Sequence, residues 1–78
     1  MNKKLYQIVS EVFNIEISKI DENTGPENLE EWDSFNFYAL LNEIEKEFNI
    51  KFDIDETLEI KKIGDFEILF QKRGIKGE

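Results

Sequence analysis

Histidine and cysteine are both absent from these 78 residues, and the two absences remove much of enzyme chemistry. The commonest bases that activate a serine are missing, as are thiol nucleophiles, cysteine-based zinc and redox sites, and any disulfide framework. There are no internal repeats and no low-complexity tracts. No apolar run approaches the ~20 residues needed to span a bilayer. The opening Met1-Asn2-Lys3-Lys4-Leu5-Tyr6-Gln7 lacks the continuous apolar region of a signal peptide. Positive charge is scarce as well. Ten Lys and Arg stand against eighteen Asp and Glu, a formal charge of −8, which is the wrong sign for nucleic-acid phosphates. The absences point to a cytoplasmic, reducing setting, with no membrane span and no nucleic-acid partner.

What is present suffices for a core. Apolar residues make up 40% of the chain and seven of them are phenylalanine, too much for a disordered segment. The length sets residues 1–78 as a single domain, monomeric and of modest stability, ~5 kcal/mol. Charge is uneven along it. Residues 11–59 hold fifteen acids and three lysines, and the remainder hold three acids and seven bases. An acidic middle with basic ends makes a dipolar molecule that steers toward basic partner surfaces.

The periodicity is helical throughout. Leu5, Ile8, Val9 and Val12 mark one face of a first helix, capped by Asn2 and ended at Asn14. Residues 14–33 form a long connection with a turn at Thr24-Gly25-Pro26, and Ile15, Ile20, Leu29 and Trp32 are its anchors to the core. Asp33 is the N-cap candidate of a second helix whose stripe is Phe37, Leu40, Leu41, Ile44 and Phe48, with Asn49 at its end. Phe52 and Ile54 alternate too briefly for a sheet. Asp55 caps a short helical turn over residues 56–60, and a last helix places Ile63, Phe66, Leu69 and Phe70 inward, with Gly74 beyond its end. The fold class is therefore all-α: a small four-helix bundle with three longer helices, a short third helix and a long first loop. If the first helix runs antiparallel to the second and last, Lys3, Lys4, Lys72, Arg73 and Lys76 gather at the pole opposite the start of the second helix.

That start is the most informative segment. Trp32-Asp33-Ser34-Phe35-Asn36 sets a serine on the first turn of an amphipathic helix after an acidic loop. There is no G-x-S-x-G elbow around it. Lys46 lies roughly three turns further along the same helix, out of reach as a base. Chemistry at Ser34 must be driven from another protein's active site. The paired carboxylates Glu30-Glu31 and Glu45 with Glu47 sit in hydrophilic stretches and read as solvated. Asp53-Ile54-Asp55-Glu56 lacks the glycine and closing glutamate of a calcium loop.

Over residues 3–73 the chain resembles the acyl carrier protein family. Asp33-Ser34-Phe35 is similar to that family's Asp-Ser-Leu motif. Leu40-Leu41-Asn42-Glu43-Ile44-Glu45-Lys46-Glu47-Phe48 resembles its second helix with a closing Glu-x-x-Phe, and Asp55-Glu56 the acidic start of its third. The resemblance implies that Ser34 is the attachment point of 4′-phosphopantetheine, loaded from coenzyme A by a phosphopantetheinyl transferase, and that Asp33 helps hold the magnesium used in transfer. It implies a non-enzymatic carrier of acyl or aminoacyl thioesters in lipid or secondary-metabolite type biosynthesis. Its partners would be a loading ligase, a ketosynthase or an acyltransferase, reading a surface of Phe35, Asn36, Ala39, Glu43, Glu45 and Glu56. Phe37, Leu40, Ile44 and Ile63 could line an acyl pocket or simply be core. Phe35 in place of leucine, together with Asn36, Ala39 and Asn42, departs from the fatty-acid carriers and favours a specialised carrier. The alternative from another class is an unmodified acidic helical interaction module, an adaptor or inhibitor, for which Ser34→Ala would be silent.

Overall fold

The structure is a computed structural model and describes residues 2–75. Among the described residues there are four α-helices and no strand: α1 (Lys3–Phe13), α2 (Ser34–Phe48), α3 (Ile54–Leu58) and α4 (Ile63–Lys72). The all-α, four-helix reading is the observed one. Asn2 caps α1 by accepting the Leu5 N–H at 3.0 Å, and this buried side chain is satisfied by doing so. Asn14 and Asn49 end α1 and α2 in the left-handed conformation, with φ of 56° and 55°. Asparagine tolerates that region better than a branched or bulky residue would.

Each helix turns its apolar stripe to one core. Leu5, Ile8 and Val9 of α1, Leu40, Leu41 and Ile44 of α2, and Ile63, Phe66, Leu69 and Phe70 of α4 are all buried. Tyr6 and Phe13 are buried with them, so the inward face of α1 is wider than the four-residue stripe predicts. Of the expected stripe, Val12, Phe37 and Phe48 are only partly buried against the cluster. Two contacts at opposite ends fix α1 antiparallel to α2. Phe13 meets Trp32 at 5.4 Å between ring centroids, while Lys4 Nζ lies 3.3 Å from Glu47 Oε2. Phe48 against Phe70, at 4.8 Å, brings the end of α4 to the end of α2. The pole away from Ser34 thus holds Lys4 and Arg73, both engaged with acids. Lys76 lies outside the described residues.

The long connection is more ordered than its composition suggests. A single 3-10 turn, Ile17–Lys19, interrupts it, an element absent from the sequence reading. Beyond it Asp21, Asn23, Thr24 and Asn28 form a local network. Thr24 Oγ1 accepts the Asp21 N–H at 2.9 Å, Asp21 Oδ1 accepts the Asn23 N–H at 2.8 Å, and Asn28 Oδ1 accepts the Gly25 N–H at 2.9 Å. The loop in turn caps α4. Lys62, its N-cap residue, supplies no side-chain bond. Instead the carbonyls of Thr24 and Glu22 accept the Ile63 and Gly64 N–H groups at 2.9 and 2.8 Å. Gly25 is required for this approach, because a Cβ there would fall 2.4 Å from the Lys61 carbonyl oxygen.

The start of α3 differs from the expected one. Asp53, not Asp55, is the cap. Its side chain accepts the Glu56 N–H while Glu56 accepts the Asp53 N–H, a reciprocal capping box, and the helix covers Ile54–Leu58 rather than residues 56–60. Ile60 lies past the helix end and is buried.

Candidate functional site

The start of α2 is built so that Trp32 turns in and Ser34 turns out. Trp32 is buried against Phe13 on one side and stacks on Phe37 at 5.8 Å and 20° on the other. That aromatic sandwich anchors the end of the connection. One residue later Asp33 takes the extended N-cap conformation, and its Oδ1 accepts the Asn36 N–H at 2.8 Å. Asn36 reaches back, donating from Nδ2 to the Glu31 carbonyl at 2.8 Å. The chain is therefore fastened immediately before and after Ser34, which is itself exposed as the first residue of α2.

Among the described residues no hydrogen bond occupies the Ser34 hydroxyl, and no base from this chain stands beside it. At the first turn of α2 the backbone N–H groups lack helical partners, and the positive end of the helix dipole favours an anion attached there, by ~0.3–1 kcal/mol. An exposed serine hydroxyl on that turn suits a phosphodiester. The donor set fits a phosphate-linked group and offers nothing for activating the serine internally. Among the described residues no group of three or more His, Cys, Asp or Glu side chains could hold a metal ion.

A family profile described as "Phosphopantetheine attachment site" matches residues 3–69, which span α1 through most of α4. Two curated relatives, each named "Acyl carrier protein" and both from Porphyromonas gingivalis, strains ATCC 33277 and W83, are 32% identical over 65 residues, covering 83% of each chain. This chain belongs to the acyl carrier protein family. As a carrier of that family it takes covalent 4′-phosphopantetheine and is not itself an enzyme. Its partners in general are the transferase that loads it and biosynthetic enzymes. No described helix is long and apolar enough to cross a membrane.

The residues singled out from sequence fall into three groups in the carrier's structure. Phe35, Asn36 and Ala39 lie on the turns that follow Ser34, with Phe35 80% exposed. Glu43, Glu45 and Glu56 already have partners within the chain. Glu43 pairs with Lys46 at 3.3 Å. Glu45 accepts the Phe52 N–H at 2.9 Å and lies 3.9 Å from Lys51 Nζ. Glu56 closes the α3 capping box and bonds Arg73. The third group is the pocket candidates. Leu40, Ile44 and Ile63 are fully buried in the core, and Phe37 is half-buried on Trp32.

Two features near the site were not legible. The rings of Phe13, Trp32, Phe37 and Tyr38 form a continuous chain from the core to the surface beside Ser34, with successive centroids 5.4, 5.8 and 6.2 Å apart. The spacing of Phe37 and Tyr38 after Trp32 hinted at it, but Phe13 comes from a different helix. The second is Arg73, whose guanidinium bonds the Lys51 carbonyl at 2.7 Å and Glu56, and lies 5.8 Å over the Phe52 ring. No sequence spacing announces that contact.

Proposed function

We propose that Ser34 is the residue that carries 4′-phosphopantetheine, and that residues 1–78 act as one carrier domain for acyl or aminoacyl groups. The observation that carries this reading is the placement of an exposed serine as the first residue of α2, directly after the Asp33 cap, in a chain of the carrier family. In loading, Ser34 Oγ attacks the pantetheine-bearing phosphate of coenzyme A. The bond from that phosphorus to the adenosine bisphosphate portion breaks, and the hydroxyl proton leaves with a base of the transferase, because this chain has none in reach. When bound, the arm supplies a terminal thiol, which holds an acyl group as a thioester.

The chain's own residues set the position and surroundings of that arm. Trp32 and Asp33 hold the first turn of α2 in place, and Asp33, the residue before Ser34 in the chain, is the one that would help a transferase hold the magnesium ion used in loading. An acyl chain folded back onto the protein would have to displace contacts around Phe37, Leu40, Ile44 and Ile63. The uncharged stretch from Ser34 to Asn42 supports service to a dedicated ligase, ketosynthase or acyltransferase in lipid or secondary-metabolite type biosynthesis. Competition against a general fatty-acid carrier for a fatty-acid ketosynthase tests that subclass, and equal use of the two carriers overturns it.

The test of attachment is intact mass after incubation with coenzyme A, magnesium and a broad-specificity phosphopantetheinyl transferase, and then with a restricted one. The expected result is a gain of one phosphopantetheinyl group on the natural chain and none on Ser34→Ala, with equal helicity by circular dichroism. A folded natural chain that gains nothing from either transferase, or a Ser34→Ala chain that still gains the group, overturns the proposal.

A further inference from the structure

Two large rings stand in water on the first turns of α2. Phe35 is 80% exposed and Tyr38 65% exposed. Three residues apart, they are neighbours on the helix surface, and Ala39, four residues after Phe35, adds a methyl group next to them. From Ser34 to Asn42 α2 carries no charged residue, so covering this patch strips no ion of its water. Tyr38 is also the outer end of a series of rings. Phe13, Trp32, Phe37 and Tyr38 follow one another at 5.4, 5.8 and 6.2 Å between centroids, spacings at which aromatic pairs attract. The series stops there: among the described residues no further ring meets Tyr38, and none meets Phe35.

One apolar group reaches this patch without a separate encounter. It is the group carried on the arm at Ser34, one residue from Phe35 and one helical turn from Tyr38. We infer that Phe35, Tyr38 and Ala39 form a resting site for the carried group on the outer face of α2, and that the group they select is aromatic, an aryl acyl or aromatic aminoacyl thioester. The inference rests on Ser34 being the attachment site and names the cargo class of that site. A flexible tether holds its end near the helix at an effective concentration on the order of millimolar. A contact with a Kd of about 1 mM is then already half occupied, although it would be negligible between free molecules. A carried ring on Tyr38 continues the series that begins in the core, and paired rings gain more than a saturated group of equal area does. The inward route is costlier. Leu40, Ile44 and Ile63 have no exposed surface, so a group entering among them must part closely packed side chains, whereas the outer patch is covered with no contact broken.

The experiment uses the absence of cysteine from the chain: once phosphopantetheine is attached, its thiol is the only one in the molecule. The natural chain is loaded from coenzyme A, and the thiol is alkylated with benzyl bromide or, separately, with cyclohexylmethyl bromide. Intact mass establishes each product, with Ser34→Ala as the control for position. Two-dimensional NMR then reads the contact. The benzyl protons are expected to show nuclear Overhauser effects to the Phe35 and Tyr38 rings, and to move upfield of the same protons in S-benzyl coenzyme A. The saturated ring, of nearly the same size but with no π face, is expected to shift by roughly half as much or less. In a chain with both Phe35→Ala and Tyr38→Ala, its fold checked by melting temperature, the benzyl shift is expected to be lost. A chain loaded on Ser34 whose benzyl group shows neither effect, or whose saturated ring shifts equally, overturns this inference and leaves the attachment site standing. A shift that survives in the double variant does the same. A natural chain that no transferase loads overturns both.

Discussion

The carboxylate of Asp33 accepts the Asn36 N–H at 2.8 Å and so satisfies one of the donors left open at the start of α2. The same residue directly precedes Ser34 in the chain, and a second role, in loading, is proposed for it. Two substitutions separate these roles. Asp33→Ala removes the cap and is expected to lower stability by ~1 kcal/mol, a fall in Tm of about 4–8 °C for a domain of this size. Asp33→Asn keeps an oxygen in the same place, and asparagine caps as well as aspartate. It should melt near the natural chain yet be loaded with phosphopantetheine more slowly. A thermal melt and a loading time course check both variants. Loading of Asp33→Asn at the natural rate would confine Asp33 to capping. The same residues show what one chain position reveals. Asp33, Ser34 and Trp32 were readable because a cap, an exposed hydroxyl and a loop anchor each depend on neighbours in sequence. Glu45 was not, because its hydrogen-bond partner is the Phe52 N–H, across the turn that ends α2.

At the scale of elements, α1, α2 and α4 follow from apolar spacing, and α1 and α2 also from asparagine or aspartate at their ends. The start of α3 did not. Both Asp53 and Asp55 are capping residues, and the choice falls to Asp53 because Glu56 then stands three positions later to complete the reciprocal box. That helix buries none of its own residues, so polar ties matter more to it than to the others. Glu56 is the hub. Its carboxyl is held below its ordinary value of 4.5, first by the hydrogen bond from the Asp53 N–H and then by the Arg73 guanidinium, against an opposing effect of burial. A carboxyl with a depressed folded value contributes stability above its unfolded value, and that contribution is lost as pH falls through the folded one. Glu56→Gln keeps the capping box, which glutamine also forms, but loses the charge facing Arg73. The variant is expected to be less stable than the natural chain at neutral pH by ~0.2–1 kcal/mol, the range measured for ion pairs of this kind. Urea midpoints should converge as pH falls below 4.5, where Glu56 of the unfolded chain becomes protonated. A gap that stays constant with pH would mean that shape or packing, not charge, distinguishes the two side chains.

For the molecule as a whole the governing quantity is the net charge of −8 and where it lies. The ion pairs Lys4–Glu47, Lys46–Glu43, Lys51–Glu45 and Arg73–Glu56 belong to the half of α2 away from Ser34 and to the segments beyond it. The acids at 27, 30, 31 and 33, in the connection before α2 and at its N-cap, are exposed and, among the described residues, in no ion pair. Two opposing effects of salt follow. Screening weakens the ion pairs, but exposed pairs contribute little, ~0–1 kcal/mol each. Screening also relieves repulsion among the excess acids, which acts only while the chain is compact and so opposes folding. With eighteen acids against ten bases, the repulsion is the larger effect. The melting temperature is therefore expected to rise with sodium chloride, and most of the rise should come at low salt, where the screening length changes most. Replacing Glu30 and Glu31 by glutamine should raise the melting temperature at low salt and shrink the salt response, because it removes two uncompensated charges without touching any ion pair. Calorimetric melts across a salt series measure both effects. A melting temperature that falls as salt is added would show instead that the paired charges, not the unpaired acids before α2, set the electrostatic balance of the fold.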